Sequence, residues 1–201
     1  DHVADGTPEQ LKRLKSAGIP LHTAEVKVFD ENDRELPRGE IGQICARGPM
    51  VMKGYWKQPD ATAEALRGGW MHTGDAGYMD EDGYIYLVDR VKDMIVTGGE
   101  NVYSVEVEDA LYAHPAVLEA AVVGIPSEEW GEAVHAVVVL KEGQQAAEAD
   151  LITHCHEYIA GYKCPKSISF SAEPLPKSGA GKILKRDLRQ PFWEGEDRQI
   201  H

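Results

Sequence analysis

Alternating apolar and polar positions are the main pattern in the first ninety residues of the chain. This period of two predicts strands at 24–30, 41–48 and on both sides of the turn Asp80-Glu81-Asp82-Gly83, within the segment AGYMDEDGYIYLVDR. Two short helices are predicted, one from the capping box Thr7-Pro8-Glu9-Gln10 to about Ala17 and one from Pro59 through Leu66. Residues 1–90 are therefore mostly strand, without a continuous core of domain size.

After Arg90, longer apolar runs alternate with amphipathic segments. The runs predict strands at 93–97, 117–125, 133–140 and 167–171. Helices are predicted at 104–114, with Ser104 as the cap, and at 147–162, and a final helical turn or two at 182–188. This order predicts an α+β domain over 92–201, preceded at 1–91 by part of another domain. No Pro/Gly-rich linker separates the two parts, so the boundary near Asp89-Arg90-Val91-Lys92 is expected to be a hinge.

The net charge and its distribution along the chain limit the kinds of partner that we expect. The 201 residues carry a formal net charge of −13, which argues against a nucleic-acid or anionic-membrane surface. From Lys163 to Arg189, however, seven basic residues accompany only two acidic ones, which suits a small polyanion such as a nucleotide. A solvated helix face is the alternative explanation for Lys185, Arg186 and Arg189.

The three cysteines, Cys45, Cys155 and Cys164, show no metal-ligand spacing and no Cys-x-x-Cys pair. Their odd number predicts a reducing, cytoplasmic location and no metal site. No apolar run reaches 18 residues, so no membrane span is expected. The first residue is Asp1 and not an initiator methionine, so we expect the chain to be a piece of a longer protein.

A glycine-rich stretch near the end, PLPKSGAGKILKR (174–186), raises the question of a phosphate-binding P-loop. Gly181-Lys182 fits the end of the P-loop pattern, but Pro176 and Ile183 stand where the pattern needs glycine and Ser/Thr. The stretch is therefore a lysine loop of another kind or a flexible surface loop with a solvated lysine.

Three further stretches carry chemistry only when they are taken together. They are GEIGQICARGPMVMKGYWKQPDAT (39–62), GWMHTGDAGYMDEDG (69–83) and VDRVKDMIVTGGEN (88–101). Alone, Asp75 could be a turn aspartate, and the glycines could mark tight backbone. In this order, and with the lysine loop, they resemble the C-terminal part of the adenylate-forming superfamily: acyl-CoA synthetases, peptide-synthetase adenylation domains and luciferases.

The resemblance implies an enzyme that activates a carboxylic acid with ATP, releases pyrophosphate, and then transfers the acyl group from AMP to the thiol of CoA. It implies that Asp75 binds the ribose hydroxyls, that Arg90 holds the ribose or phosphate region, and that Leu87 lies near the adenosine. Lys92 is the implied hinge about which the C-terminal domain rotates between the two half-reactions. Lys182 is the implied catalytic lysine, which enters the site for adenylation.

For the second half-reaction, the resemblance assigns Gly98 and Gly99, followed by Glu100 and Asn101, to the loop that lines the pantetheine tunnel. Trp130 matches a position that contacts CoA in some aryl relatives; a surface or core tryptophan is the alternative. Lys163 and Lys166 are candidates for the CoA phosphates, although Cys164 stands where some relatives have arginine.

The acyl pocket and the glutamate linked to Mg²⁺ lie, by the same resemblance, upstream of this chain. We therefore expect the end of a large domain (1–91) and a complete small mobile domain (92–201), inactive by themselves. The parent is predicted to be a fatty-acid–CoA ligase, with no nucleic-acid partner. An aryl- or other carboxylate–CoA ligase, or an acyl-AMP ligase that serves a carrier protein, remains an alternative. A free-standing nucleotide- or CoA-binding module is the alternative outside the enzymes.

Overall fold

The computed structural model describes residues 6–194. Within them the chain forms two compact units, one up to Val91 and one from Lys92 onward. Each unit has its own sheet and its own set of buried side chains. The α+β fold class predicted from the sequence is confirmed.

The first unit contains a four-stranded antiparallel sheet with strand order β1-β2-β3-β4. Its elements are α1 (Pro8–Leu14), β1 (Glu25–Phe29), β2 (Gly42–Arg47), α2 (Pro59–Ala65), β3 (Met71–Met79) and β4 (Ile85–Arg90). The capping box forms as predicted: the Thr7 hydroxyl accepts a hydrogen bond from the Gln10 amide, and the Gln10 side chain accepts one from Thr7. The predicted hairpin also forms, because Asp80 accepts hydrogen bonds from the backbone of Asp82 and Tyr84 and closes the turn.

The second unit contains a five-stranded sheet in which β6, β5, β8 and β7 lie side by side and β9 pairs in parallel with β8. Its elements are β5 (Ile95–Thr97), β6 (Glu100–Val102), α3 (Ser104–Tyr112), β7 (Val117–Ser127), β8 (Gly131–Leu140), α4 (Glu148–Cys155), β9 (Ser167–Phe170) and α5 (Lys185–Trp193). The β7–β8 pair is the longest ladder, running from Val117↔Leu140 to Ser127↔Gly131.

The β7–β8 ribbon is buried on both faces, which explains why its sequence is apolar nearly without alternation. One face packs against helices α3 and α4 through a core that includes Val122, Val134, Leu111 and Leu151. The other face carries Ala121, Val137 and Val139, and it packs against Leu175, Ile183 and Leu188 from the chain segment after β9. The segment that contains the lysine loop is therefore one layer of the fold.

Five points of the sequence analysis need correction. Ser104 is not the cap of α3; the cap position is Tyr103, and the buried Ser104 hydroxyl accepts a hydrogen bond of 2.6 Å from the Lys185 ammonium. Helix α4 ends at Cys155 and not at 162, because its last turn tightens into i→i+3 bonds to the carbonyls of His154 and Cys155.

In place of the final helical turn or two predicted at 182–188, the structure has a nine-residue helix, α5. Packing of the Leu188 side chain against the sheet stabilises this helix. The short strand β6 was missed because three residues carry too little pattern to be detected. Lys185 does not lie on a solvated face: it forms an ion pair of 2.8 Å with Glu108, and both side chains are mostly buried. Arg186, by contrast, is exposed as that interpretation requires.

We propose that the boundary between the two units is also the site of easiest proteolysis. Arg90 ends β4, and Val91–Asp93 form a single 3₁₀ turn with no sheet partner, so trypsin is expected to cut first after Arg90 or Lys92. Mass spectrometry of a brief digest would measure this, with 88–94 as the expected window. First cuts within 117–140 would contradict the proposed boundary.

Candidate functional site

Asp75 and Arg90 form an ion pair on neighbouring strands of the first unit. The register places Asp75 opposite Arg90, and the guanidinium Nη1 lies 2.9 Å from the carboxylate Oδ1. The Thr73 hydroxyl orients this end of β3, because it donates to the Ile44 carbonyl and accepts a hydrogen bond from the Asp75 amide. Both charged side chains remain partly open to solvent, so the pair can accept O–H donors and bind an anion at the same place.

Two further residues implied by the resemblance lie close to this pair in the sequence. Leu87 pairs with Gly77 in the β3–β4 ladder, and its side chain is 58% exposed, which is high for a leucine within a strand. Lys92 lies in the 3₁₀ turn at the start of the second unit, where its carbonyl accepts a hydrogen bond of 3.4 Å from Arg189. The backbone of the implied hinge residue is thus held by α5.

The glycine-rich loop around Lys182 is a short hairpin, which we call the lysine hairpin (residues 175–184). Lys177 and Ile183 form an antiparallel bridge, and the Leu184 amide donates to the Pro176 carbonyl at 2.8 Å. Gly181 has a positive φ of 80°, which the turn requires and which glycine adopts without strain. Lys182 lies at the exposed tip. No P-loop forms, because no helix begins at this lysine.

Gly98 and Gly99 form the two-residue turn between β5 and β6. Both have positive φ, 59° and 84°, as a type I′ turn needs, so the fold by itself requires glycine here. Glu100 begins β6 and pairs with Thr97, and Asn101 pairs with Val96. A Cβ added to Gly98 would lie 2.9 Å from the Trp130 ring, whereas one added to Gly99 would meet nothing within 4 Å.

Trp130 lies directly over this turn. Its carbonyl accepts a hydrogen bond of 2.9 Å from the Gly98 amide, and its side chain is 43% exposed. The Lys166 ammonium lies 5.9 Å from the centre of the indole ring. The structure therefore brings together Gly98, Trp130 and Lys166, three residues that are far apart in the sequence, as a flat aromatic surface with a cation at its side.

Lys163 belongs to a different environment. Its ammonium donates to both carboxylate oxygens of Glu106, at 2.8 and 2.7 Å, and its side chain is mostly buried. Cys164 is buried in the core, where its thiol contacts the Ala160 carbonyl. Of the two lysines that sequence reasoning assigned to phosphates, only Lys166 lies beside Trp130.

The lysine hairpin and the Gly98–Trp130–Lys166 cluster lie at opposite ends of the β7–β8 ribbon. The hairpin is held at Glu119, which pairs with Val139, whereas the cluster adjoins Gly131, which pairs with Ser127. Eight residues of β7 separate these two points, which at about 3.3 Å per residue is about 26 Å along the strand. The second unit thus carries two chemically different sites that are well separated.

A groove of about 350 Å³ in the first unit lies elsewhere, beside Trp70 and His72. Its cations are already paired: Lys27 with Glu35, Arg47 with Glu25, and Arg67 with Asp33. The Arg67 guanidinium holds the pKa of the Asp33 carboxyl below its usual value. Because these charges compensate each other, the groove offers no net charge to a ligand.

Comparison with known proteins identifies the family. The profile of the AMP-binding enzyme C-terminal domain matches residues 106–182, and that of the AMP-binding enzyme matches residues 2–56. A fatty acid–[acyl-carrier-protein] ligase, ScoC, from Streptomyces coeruleorubidus is 47% identical over 94% of this chain and 36% of its own length. The chain belongs to the adenylate-forming enzymes.

Other members of this family are similar to the same degree. A long-chain-fatty-acid–CoA ligase from Escherichia coli O6:H1 is 49% identical over 87% of this chain and 31% of its length, and a feruloyl-CoA synthase from Amycolatopsis is 46% identical over 95% and 37%. The ATP-bound crystal structure of MatB from Rhodopseudomonas palustris matches with a TM-score of 0.83 at 39% identity, over 92% of this chain and 37% of that one. The chain spans about a third of the length of these relatives.

Residues 6–194 contain no cluster of three or more His, Cys, Asp or Glu side chains that could hold a metal ion. Across the same residues, no helix is long and apolar enough to cross a membrane.

Sequence reasoning did not identify Glu119, Lys177 and Ser178, which hold the lysine hairpin. No local pattern marks them, because Glu119 lies 56 residues before Leu175 and their contact depends on the fold.

The cysteines offer no nucleophile, although the Cys45 thiol lies 3.3 Å from His72 Nδ1. All three thiols are buried, and burial raises the pKa of Cys45 and of Cys155 to about 11 and also raises that of Cys164. A buried thiol with a raised pKa forms little thiolate at neutral pH.

We therefore expect no thiol of the native chain to react within minutes with an aromatic disulfide reagent at pH 8, and three to react in denaturant. Absorbance of the released thiolate measures both numbers. The serine variant of each cysteine, which should lower only the denatured count by one, is the control. One rapidly reacting thiol in the native chain would contradict the burial.

Proposed function

We propose that the chain is the C-terminal portion of an ATP-dependent fatty-acid–CoA ligase, which forms an acyl-adenylate and then an acyl-CoA thioester by domain alternation. One observation carries the proposal: the lysine hairpin and the Gly98–Trp130–Lys166 cluster are attached at points about 26 Å apart along one ribbon. Two groups attached so far apart on one unit are poorly placed to serve one reaction centre in one orientation. A two-step reaction in which the unit presents each site in turn uses both.

In the first step, the residues of this chain bind and stabilise charge. The Asp75 carboxylate accepts hydrogen bonds from the ribose hydroxyls, and its partner Arg90 orients it and contributes positive charge near the phosphates. Leu87 supplies an exposed apolar surface for the adenosine. The Lys182 ammonium neutralises charge that develops between the acyl carboxylate and the α-phosphate. ATP supplies the adenylyl group, and we propose that the ligands of its Mg²⁺ lie outside this chain.

In the second step, the Gly98-Gly99 turn lets the pantetheine arm pass beside bare backbone, because no Cβ projects from it. Trp130 offers a face for the adenine of CoA, and Lys166 offers a charge for its phosphates. Glu100 follows the turn at the same edge of the sheet. Because the Lys163 ammonium is already bound to the Glu106 carboxylate, Lys166 is the lysine that we propose for the phosphates.

By resemblance, the acyl pocket lies outside the segment that this chain spans, so the choice of acyl substrate rests on motifs and relatives. The stretch VKDMIVTGGENVYSVEVEDAL (91–111) looks most like fatty-acyl and aryl CoA ligases. We choose the fatty acid because ScoC and the Escherichia coli relative are named as fatty-acid ligases. An aryl-CoA ligase and a ligase that serves a carrier protein are the competing functions. Rates of the full-length protein with a fatty acid or an aryl acid, and with CoA or a phosphopantetheinylated carrier protein, separate the three.

The 201 residues alone are expected to make no acyl-CoA from fatty acid, ATP and CoA, because only part of the site is present. A coupled assay for pyrophosphate and thioester measures this, and isothermal calorimetry is expected to show no tight binding of ATP. ATP-dependent acyl-CoA from the pure chain would contradict the proposed division of the site. Tight ATP binding without catalysis would instead favour a free-standing nucleotide-binding module.

The two half-reactions are expected to separate in the full-length protein. Lys182→Ala should lower acyl-adenylate formation by about 10²–10³-fold, the usual scale for loss of one charge-stabilising donor, and leave the reaction of synthetic acyl-adenylate with CoA near its normal rate. Gly99→Leu should do the reverse, because its side chain projects into open space where the pantetheine would pass.

Gly143→Leu is the matched control for the second variant. Gly143 also has a positive φ, 73°, and open space at its Cβ, but it lies in the turn after β8. This control carries the same backbone strain and should preserve both steps. If Lys182→Ala slows both half-reactions equally, or if Gly143→Leu blocks thioester formation as Gly99→Leu does, domain alternation is contradicted.

A further inference from the structure

The base of the lysine hairpin is fixed to the sheet by apolar contacts. Leu175 is buried, and Ile183 packs beside it against Ala121 and Val139. These two side chains lie on the two strands of the hairpin, one before and one after the tip. The hairpin can therefore not swing as a whole without exposing both of them.

The tip of the hairpin is fixed from within by Ser178. Its amide donates to the Lys182 carbonyl at 2.8 Å, and its hydroxyl accepts from the Lys182 amide at 3.2 Å. The Ser178 carbonyl accepts from the Gly181 amide at 2.8 Å. Both backbone groups of Lys182 are thus held by one residue, and only the side chain of the lysine is free to move.

A carboxylate on β7 connects the first strand of this hairpin to the sheet. Glu119 Oε2 accepts a hydrogen bond of 2.9 Å from the Leu175 amide, and Oε1 accepts one from the Lys177 ammonium. The Glu119 side chain is only 17% exposed. These bonds lower the pKa of the Glu119 carboxyl, that to Lys177 more than that to Leu175. The carboxylate is therefore ionised at neutral pH, and it holds the residue that immediately precedes Ser178.

The other end of the hairpin has an anchor of the same kind. Lys185, the first residue of α5, donates to Glu108 and to the Ser104 hydroxyl. Glu108 in turn accepts a hydrogen bond of 2.8 Å from the Val122 amide on β7. The chain thus leaves the hairpin already bound to the same ribbon on which Glu119 lies.

We propose that Glu119 is a positioning residue for Lys182, and that it acts through Lys177 and Ser178 to hold the lysine at a fixed height above the β7–β8 ribbon. The inference rests on the proposed role of Lys182 in adenylation. A flexible hairpin would place the ammonium in many positions, and the conformational entropy of those positions would have to be lost before the charge could be stabilised. In a hairpin held by Glu119, that entropy is already lost when the protein folds.

The test compares carboxylate variants in the full-length protein. Glu119→Ala is expected to lower the rate of acyl-adenylate formation by about 10–100-fold, the scale of a misplacement near 1 Å, with little change in the KM for ATP. Thioester formation from synthetic acyl-adenylate should stay within about twofold. Glu119→Gln keeps an acceptor for the Leu175 amide, so its rate of acyl-adenylate formation should lie between that of the parent and that of Glu119→Ala.

Glu173→Gln is the matched control. It removes the same charge two residues before Leu175, but Glu173 is exposed and holds none of the hairpin by its side chain. Its adenylation rate should be that of the parent. An equal loss in Glu173→Gln and Glu119→Gln would show that total charge and not anchoring matters, and would overturn the proposal.

A double-variant cycle tests whether Glu119 acts through the lysine. If it does, Glu119→Ala adds nothing to Lys182→Ala, and the double variant adenylates at the rate of Lys182→Ala alone. Multiplied losses, or equal slowing of both half-reactions by Glu119→Ala, would overturn the proposal. If Lys182→Ala itself has no effect, the proposed function fails first; if only Glu119→Ala has none, the positioning role alone fails.

Hydrogen exchange of the 201-residue chain gives a readout that does not depend on activity. In Glu119→Ala the amides of Gly181 and Lys182 should exchange about tenfold faster or more, whereas those of Val122 and Val134 in the ribbon should be unchanged. Unchanged exchange at the tip would overturn the anchoring. Faster exchange throughout the ribbon would show general destabilisation and would equally overturn it.

Discussion

Burial of both faces of the β7–β8 ribbon is the constraint on which the second unit depends. A ribbon that is apolar on both sides needs two covering layers, and the chain supplies one from helices α3 and α4 and the other from the lysine hairpin and α5. The segment that carries the implied catalytic lysine is therefore held by the hydrophobic effect. The exposed tip is the part of that layer that the core does not need.

Charge does the finer positioning. Lys177, Lys185 and Lys163 lie in the basic part of the sequence, but each is bound to a glutamate from an earlier element: Glu119, Glu108 and Glu106. In each pair at least one side chain is mostly buried. Such a pair gains little net stability, but it fixes geometry because the buried partner would be costly to leave unpaired. Among the five lysines of this basic part (163–189), Lys166 and Lys182 have no carboxylate partner in the structure, and they are the two for which the proposed chemistry needs a free ammonium.

Sequence reasoning reached the elements whose pattern is local. The alternation in 24–30, the capping box at Thr7 and the turn at Asp80 each depend on neighbours a few residues away, and each forms. It failed where tertiary contacts decide. The local pattern predicts a cap at Ser104 and a solvated side chain at Lys185, because the hydrogen bond between the two spans 81 residues and leaves no local signal. Asp75 and Arg90 were recognised only by resemblance, although the register of one hairpin suffices to pair them.

The glycines at 98 and 99 show why a motif can have two causes at once. The type I′ turn needs positive φ at both positions, so glycine would be favoured here even without a ligand. The same turn ends beside Trp130, where a Cβ at Gly98 would collide with the indole. A Cβ at Gly99 would collide with nothing, so packing does not explain the bare backbone at that position. The positive φ alone accounts for glycine at 99, and the open space above it is the feature of this edge that the proposed passage of pantetheine uses. This edge lies at the end of the ribbon farthest from the anchor of the lysine hairpin.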